Sequence, residues 1–140
     1  MKHLFFAIVI TTAVCFVGCG KGISVNGKVT FPDGSPLTVG EVVFQTETVM
    51  ASGRIQPDGT YRLVGAKEGD GIPPNHYGVR ITGACKSSIA PPGTLPEDVP
   101  PPIPLIDEKF EKTETSELTC DVKGAQTFNI TVTAPNGKTQ

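Results

Sequence analysis

Hydrophobic and polar residues alternate over most of the chain, in short runs separated by turn residues. In 25–31 (VNGKVTF), Val25, Val29 and Phe31 share one face, and Asn26, Lys28 and Thr30 share the other. A period of two is the mark of a half-buried strand. Glu41–Gln45 predicts a second strand and Thr48–Ile55 a third. In Thr60–Val64, Tyr61 and Leu63 share a face. Later runs repeat the pattern through Tyr77, Val79 and Ile81, through Leu118, Cys120 and Val122, and through Phe128, Ile130 and Val132. Pro32-Asp33-Gly34 and Pro57-Asp58-Gly59 are turns, because Pro presets φ, Asp tolerates the bridge region and Gly accepts positive φ. The second turn makes a hairpin of the strands on either side. Six or seven short strands without a convincing helix predict an all-β domain, most economically a β-sandwich.

Two segments depart from this rhythm. Residues 90–105 carry Pro91-Pro92, Pro96, Pro100-Pro101-Pro102 and Pro104, which remove backbone donors and bar a central strand. An extended surface loop is expected there. Asp107–Glu117 then holds five acids against Lys109 and Lys112, which predicts a solvated acidic loop rather than a cation site.

The N-terminus is different again. Leu4–Val17 is apolar and free of carboxylates, follows Lys2 and His3, and ends in Gly18-Cys19. That is the charged and apolar order of a secretory signal. As a helix, this run would span roughly 21 Å, short of a hydrocarbon core of about 30 Å. The Gly-Cys ending resembles the bacterial lipobox, with Phe16 in the place usually held by Leu. Residues 1–18 are therefore expected to be a lipoprotein signal peptide, Cys19 the lipidated residue and 19–24 a tether. An ordinary cleaved signal with an incidental Cys19 is the alternative. A diacylated cysteine supplies two chains at one residue, as stable anchoring requires. The domain is then expected in the cell envelope, anchored to a membrane on its periplasmic or extracellular side.

The formal charge is −2, and the loss of Lys2 with the signal makes it −3. A mildly acidic chain without a basic patch is a poor candidate for nucleic acid. Trp is absent and Gly and Pro are abundant, which suits a turn-rich β domain. The remaining chain, with 25–134 as the sandwich and 135–140 as a tail, is enough for one core.

Catalytic signatures are missing. His76 is the single histidine after the signal, and no Gly-x-Ser-x-Gly elbow accompanies it. One histidine and two separated cysteines lack the ligand spacing of a zinc site. Asp33, Asp58 and Asp70 each precede Gly, but turn formation explains them better than calcium. No catalytic, metal or cofactor residue is expected. Cys85 and Cys120 are predicted to form a disulfide, since extrapolated alternation turns both inward in an exported domain. Closing that loop would stabilise by roughly 4 kcal/mol in the chain-entropy model. Two separately buried thiols are the alternative.

The order of pieces resembles a known family. Val-x-Gly-x-Val-x-Phe, Pro-Asp-Gly-x-Pro-Leu and Val-Val-Phe come first, then Ser52-Gly53 leads through Pro57-Asp58-Gly59-Thr60-Tyr61 into a strand. Residues 69–74 (GDGIPP) and His76-Tyr77-Gly78-Val79 follow, then Ile106–Phe110 and Thr115-Ser116-Glu117-Leu118. Together these resemble the small carboxypeptidase regulatory-like lipoproteins of planctomycete-type bacteria. Asn75-His76 departs from that family's Pro-Gly, and the proline-rich insert is longer than usual. The resemblance implies a transthyretin-like, seven-stranded Greek-key sandwich of Ig-like architecture and no catalytic residue. Transthyretin-like hydrolases use several histidines and a distinctive C-terminal motif, neither of which Thr133–Gln140 supplies. The expected role is a structural or protein-interaction module that meets the membrane through its lipid. A carbohydrate-binding surface protein is the alternative, with an envelope polysaccharide as partner. Sugar platforms want exposed aromatics; Tyr61 and Tyr77 fall on apolar faces, which leaves Phe110. An envelope enzyme with an unrecognised site is the third reading.

Overall fold

The computed structural model describes residues 22–65, 71–87, 92–93, 95 and 99–135. The signal segment, Cys19 and Asp70 lie outside them. Among the described residues, ten strands run in the order β1 (Val25–Thr30), β2 (Glu41–Gln45), β3 (Met50–Arg54), β4 (Thr60–Arg62), β5 (Asn75–Thr82), β6 (Cys85–Lys86), β7 (Ile103–Pro104), β8 (Leu118–Val122), β9 (Gln126–Thr127) and β10 (Ile130–Thr131). The all-β sandwich read from the alternation is what forms. One sheet has the order β10-β1-β4, with β9 also on β1, and the other β3-β2-β5-β8. The count exceeds seven for two reasons. The last predicted strand is broken at Phe128-Asn129, and a two-residue pair, β6 with β7, is added at one end.

Both sheets turn their apolar residues inward. Val25, Val29, Tyr61, Leu63, Ile130 and Val132 face Val42, Phe44, Tyr77, Val79, Ile81 and Val122 in one buried core. Loops close the two ends with Leu37, Ile72 and Ile106, each essentially fully buried. The β3–β4 hairpin joins the sheets at one edge, because Val64 N donates to Ser52 O at 2.8 Å.

The two Pro-Asp-Gly turns have the same construction. Asp33 Oδ1 accepts from Ser35 N (2.9 Å) and Oγ (2.7 Å), and Asp58 Oδ1 from Thr60 N (3.0 Å) and Oγ1 (2.7 Å). Gly34 and Gly59 take φ of 87° and 84°, which no side chain there would favour.

Three expectations need correction. The acidic run is not simply a solvated loop: it forms a 3₁₀ turn, Glu108–Glu111, and a short helix α1, Thr113–Ser116. Asp107 caps the turn by accepting from Lys109 N at 3.0 Å, and Phe110 and Ser116 are buried. Its glutamates are exposed, so the charge pattern is real but conceals the anchors. The proline-rich segment ends in structure too, as Ile103–Pro104 pairs with Cys85–Lys86 at an edge that proline tolerates.

The third correction is the disulfide. Cys85 and Cys120 are both free. Cys120 stands opposite Tyr77, whereas Cys85 lies beyond the far end of β5. The strand from Tyr77 to Thr82 alone covers roughly 17 Å at about 3.3 Å per residue. A bridge needs Cα atoms about 4.4–6.8 Å apart. The backbone also turns at Gly83, φ 66°, so the extrapolated alternation stops before Cys85.

Candidate functional site

The sandwich has two ends of different character. At one, the chain enters through Ile23, which bridges to Ile72 beside the start of β1. At the other, where β1 and β10 finish, a groove of about 1240 Å³ opens between the β1–β2 connection and 103–107. Phe31, Pro32, Pro36, Ile103, Pro104 and Pro135 supply its apolar surface. Asp33, Lys86 and Asp107 supply charge. Both carboxylates are already engaged, Asp33 by Ser35 and Asp107 by Lys109 N. Leu105 N donates to Ala84 O and Asp107 N to Thr133 O, so the wall 103–107 is fixed to the sandwich. Ile103 is 59% exposed on the rim. Such a lining offers shape and apolar contact to an extended partner. Of its charged groups, Lys86 alone has no hydrogen-bond or ion-pair partner among the described residues.

His76 was the one candidate for catalysis in the sequence, and its neighbour is Asp121 rather than the acidic run. The two face each other across β5 and β8, with Nδ1 2.6 Å from Oδ1. An ionised carboxylate only accepts, so Nδ1–H donates. Both side chains are more than 60% exposed, and neither lines this groove. A solvated pair of this kind lacks the dry surroundings that strengthen catalytic electrostatics.

Cys120 is no better placed as a nucleophile. Burial pushes its thiol up, against a lowering by Gln126, whose Nε2 donates to Sγ at 3.0 Å. A raised thiol is the inert kind. Among the described residues, no group of three or more His, Cys, Asp or Glu could hold a metal ion. No described helix is long and apolar enough to cross a membrane.

The aromatic residues weighed for sugar stacking are all inside. Tyr61 and Tyr77 are 3% and 0% exposed, and Phe110 only 4%. Burial pushes the pKa of both tyrosine hydroxyls up. Their hydroxyls donate to Phe128 O (2.6 Å) and Pro73 O (2.8 Å).

A second groove went unnoticed in the sequence. It holds about 610 Å³ on the outer face of β1, β4 and the end of β3, with Ser24, Asn26, Arg54, Gln56, Arg62 and Val64 in its lining. The signal was present in the hairpin: counting outward from the Pro-Asp-Gly turn brings Arg54 opposite Arg62.

Three carboxyls have a direction that predicts a pH response. Asp33, Asp58 and Asp121 are held below the usual range, first by the hydrogen bonds from Ser35, Thr60 and His76 respectively. A depressed folded value gives stability that is complete above the unfolded pKa, about 3.9, and lost as pH falls through the folded one. The denaturant midpoint of the domain is expected to hold at neutral pH and to fall below about pH 4. Asp58→Asn, which can keep the turn without the charge, should shallow that fall. A variant curve parallel to the wild type would show that the turn charges contribute nothing.

The chain matches no protein-family model, no curated protein and no solved structure.

Proposed function

We propose that this chain is a lipid-anchored, non-catalytic β-sandwich of the cell envelope, acting as an interaction module similar to the carboxypeptidase regulatory-like lipoproteins. The observation that carries the reading is the separation of its two ends. Ile23, already bonded to Ile72 in both directions at 2.8 and 2.9 Å, follows Cys19 by four residues. Four residues reach at most about 14 Å, so an acyl chain on Cys19 would hold this end close to the bilayer. The proline-lined groove at the opposite end then faces away from the membrane. Its apolar walls suit an extended segment of an envelope protein.

Metabolic labelling with a fatty-acid analogue is expected to mark the wild-type protein and not Cys19→Ala. A photo-crosslinking residue at Ile103 should then give a discrete adduct in the native envelope, and Phe31→Asp should abolish it. Label persisting in Cys19→Ala would remove the anchor. An adduct indifferent to Phe31→Asp would remove the groove.

A further inference from the structure

Arg54 and Arg62 face one another across the β3–β4 hairpin. The register is fixed on both sides of them, by Val64 N to Ser52 O and by Gln56 N to Thr60 O, each 2.8 Å. The two arginines lie midway between these ties, and both line the smaller groove. Like charges directly opposite one another destabilise a strand pair. No described carboxylate lies within ion-pair distance of either guanidinium. The nearest cross-strand acid, Glu41 opposite Arg54, accepts instead from Ser52 Oγ at 2.5 Å. Two unpaired forks over one groove suit a single oxyanion, which each can hold through two parallel N–H bonds.

The position of the groove indicates which oxyanion. Arg62 pairs with Asn26 of β1, two residues after Ser24, which lines the same groove. Ser24 is five residues from Cys19, at most about 18 Å of chain. Val64, 39% exposed, adds an apolar residue beside the arginines. A cationic face with an apolar rim, held close to a bilayer, fits the phosphate of an anionic lipid headgroup.

We propose that Arg54 and Arg62 form a binding site for the phosphate of an anionic phospholipid headgroup. The site orients the sandwich on its own membrane. The assignment of lipid as the source rests on the anchor reading above; the arginine geometry does not.

The test uses the full chain as exported and purified in nanodiscs, with intact mass reporting acylation of Cys19. Amide hydrogen exchange is followed at Gln56 and Val64, whose N–H groups tie the hairpin on either side of the arginines. Nanodiscs of phosphatidylcholine with phosphatidylglycerol should slow exchange there by about tenfold relative to phosphatidylcholine alone, as expected for one charge-assisted contact. Raising the salt should shrink the difference. Arg54→Ala and Arg62→Ala should each remove it, and the Lys variants should restore only part, since Lys lacks the fork. Equal exchange in the two lipids with Cys19 acylated would overturn the site. Slowing by inorganic phosphate in phosphatidylcholine discs to the same extent would overturn the lipid source. Lipid-dependent slowing with Cys19 unmodified would overturn the anchor and leave the arginine site standing.

Discussion

Phe44→Ala is expected to cost the domain about 3–5 kcal/mol, the range for removing a buried aromatic side chain. Phe44 is fully buried in β2, in the middle of the second sheet. Its ring meets Tyr77 at 5.9 Å between centroids and Phe128 edge-on at 5.8 Å and 84°. Tyr77 is its sheet neighbour on β5, whereas Phe128 belongs to the opposite sheet at the break between β9 and β10. Truncation would therefore loosen both layers around one void, and close packing leaves little to fill it. Small domains have only about 5–15 kcal/mol of stability in all. The denaturant midpoint should fall steeply with an unchanged slope. Phe44→Leu, which keeps more of the volume, should fall less. An alanine variant within about 1 kcal/mol of wild type would mean that the sheets close over the gap, contrary to the usual cost of such cavities.

The fold was legible because sandwich strands carry their burial as a period of two. Glu41–Gln45 has the predicted bounds, Val25–Thr30 is one residue shorter than predicted, and Leu118–Val122 spans the alternating Leu118, Cys120 and Val122. The parts that escaped depend on contacts that alternation does not encode. In 126–132 the pattern is continuous, yet the strand breaks, because Asn129 Oδ1 takes the hydrogen bond of Lys28 N at 3.0 Å in place of the ladder. A side-chain acceptor standing in for a backbone one leaves the sequence pattern intact. A loop position makes Phe110 a candidate exposed aromatic in the sequence, but a single 3₁₀ turn suffices to drive it inward. The cysteines failed for a related reason, since one glycine turn after β5 ends the extrapolation. Arg54 and Arg62 could have been paired from the turn alone. Each looks like an ordinary solvated residue until the hairpin register sets one against the other.

Gly27→Ala is expected to be the second large loss, although it adds a single methyl group. Gly27 lies inward on β1 between Val25 and Val29, opposite Tyr61 of β4. A Cβ at this position would run into the carbonyl of Phe128 and come within 2.9 Å of Tyr61 Cε1. The carbonyl is backbone at the break between β9 and β10, and the Tyr61 hydroxyl donates to it at 2.6 Å. The glycine, the ring and the carbonyl thus occupy one socket, and none can move without moving another. Overpacking usually costs about 1–3 kcal/mol, and a backbone obstacle places this case at or above the upper end. Tyr61→Phe alone should cost about 1 kcal/mol, by leaving the half-buried Phe128 carbonyl without its donor. The two losses should not add. Once alanine has displaced the ring, the hydroxyl no longer reaches the carbonyl, and removing it costs little more. A double-mutant cycle by denaturant unfolding measures this directly, with an expected coupling of about 1 kcal/mol. Strict additivity would show that the ring and the carbonyl are positioned independently of Gly27.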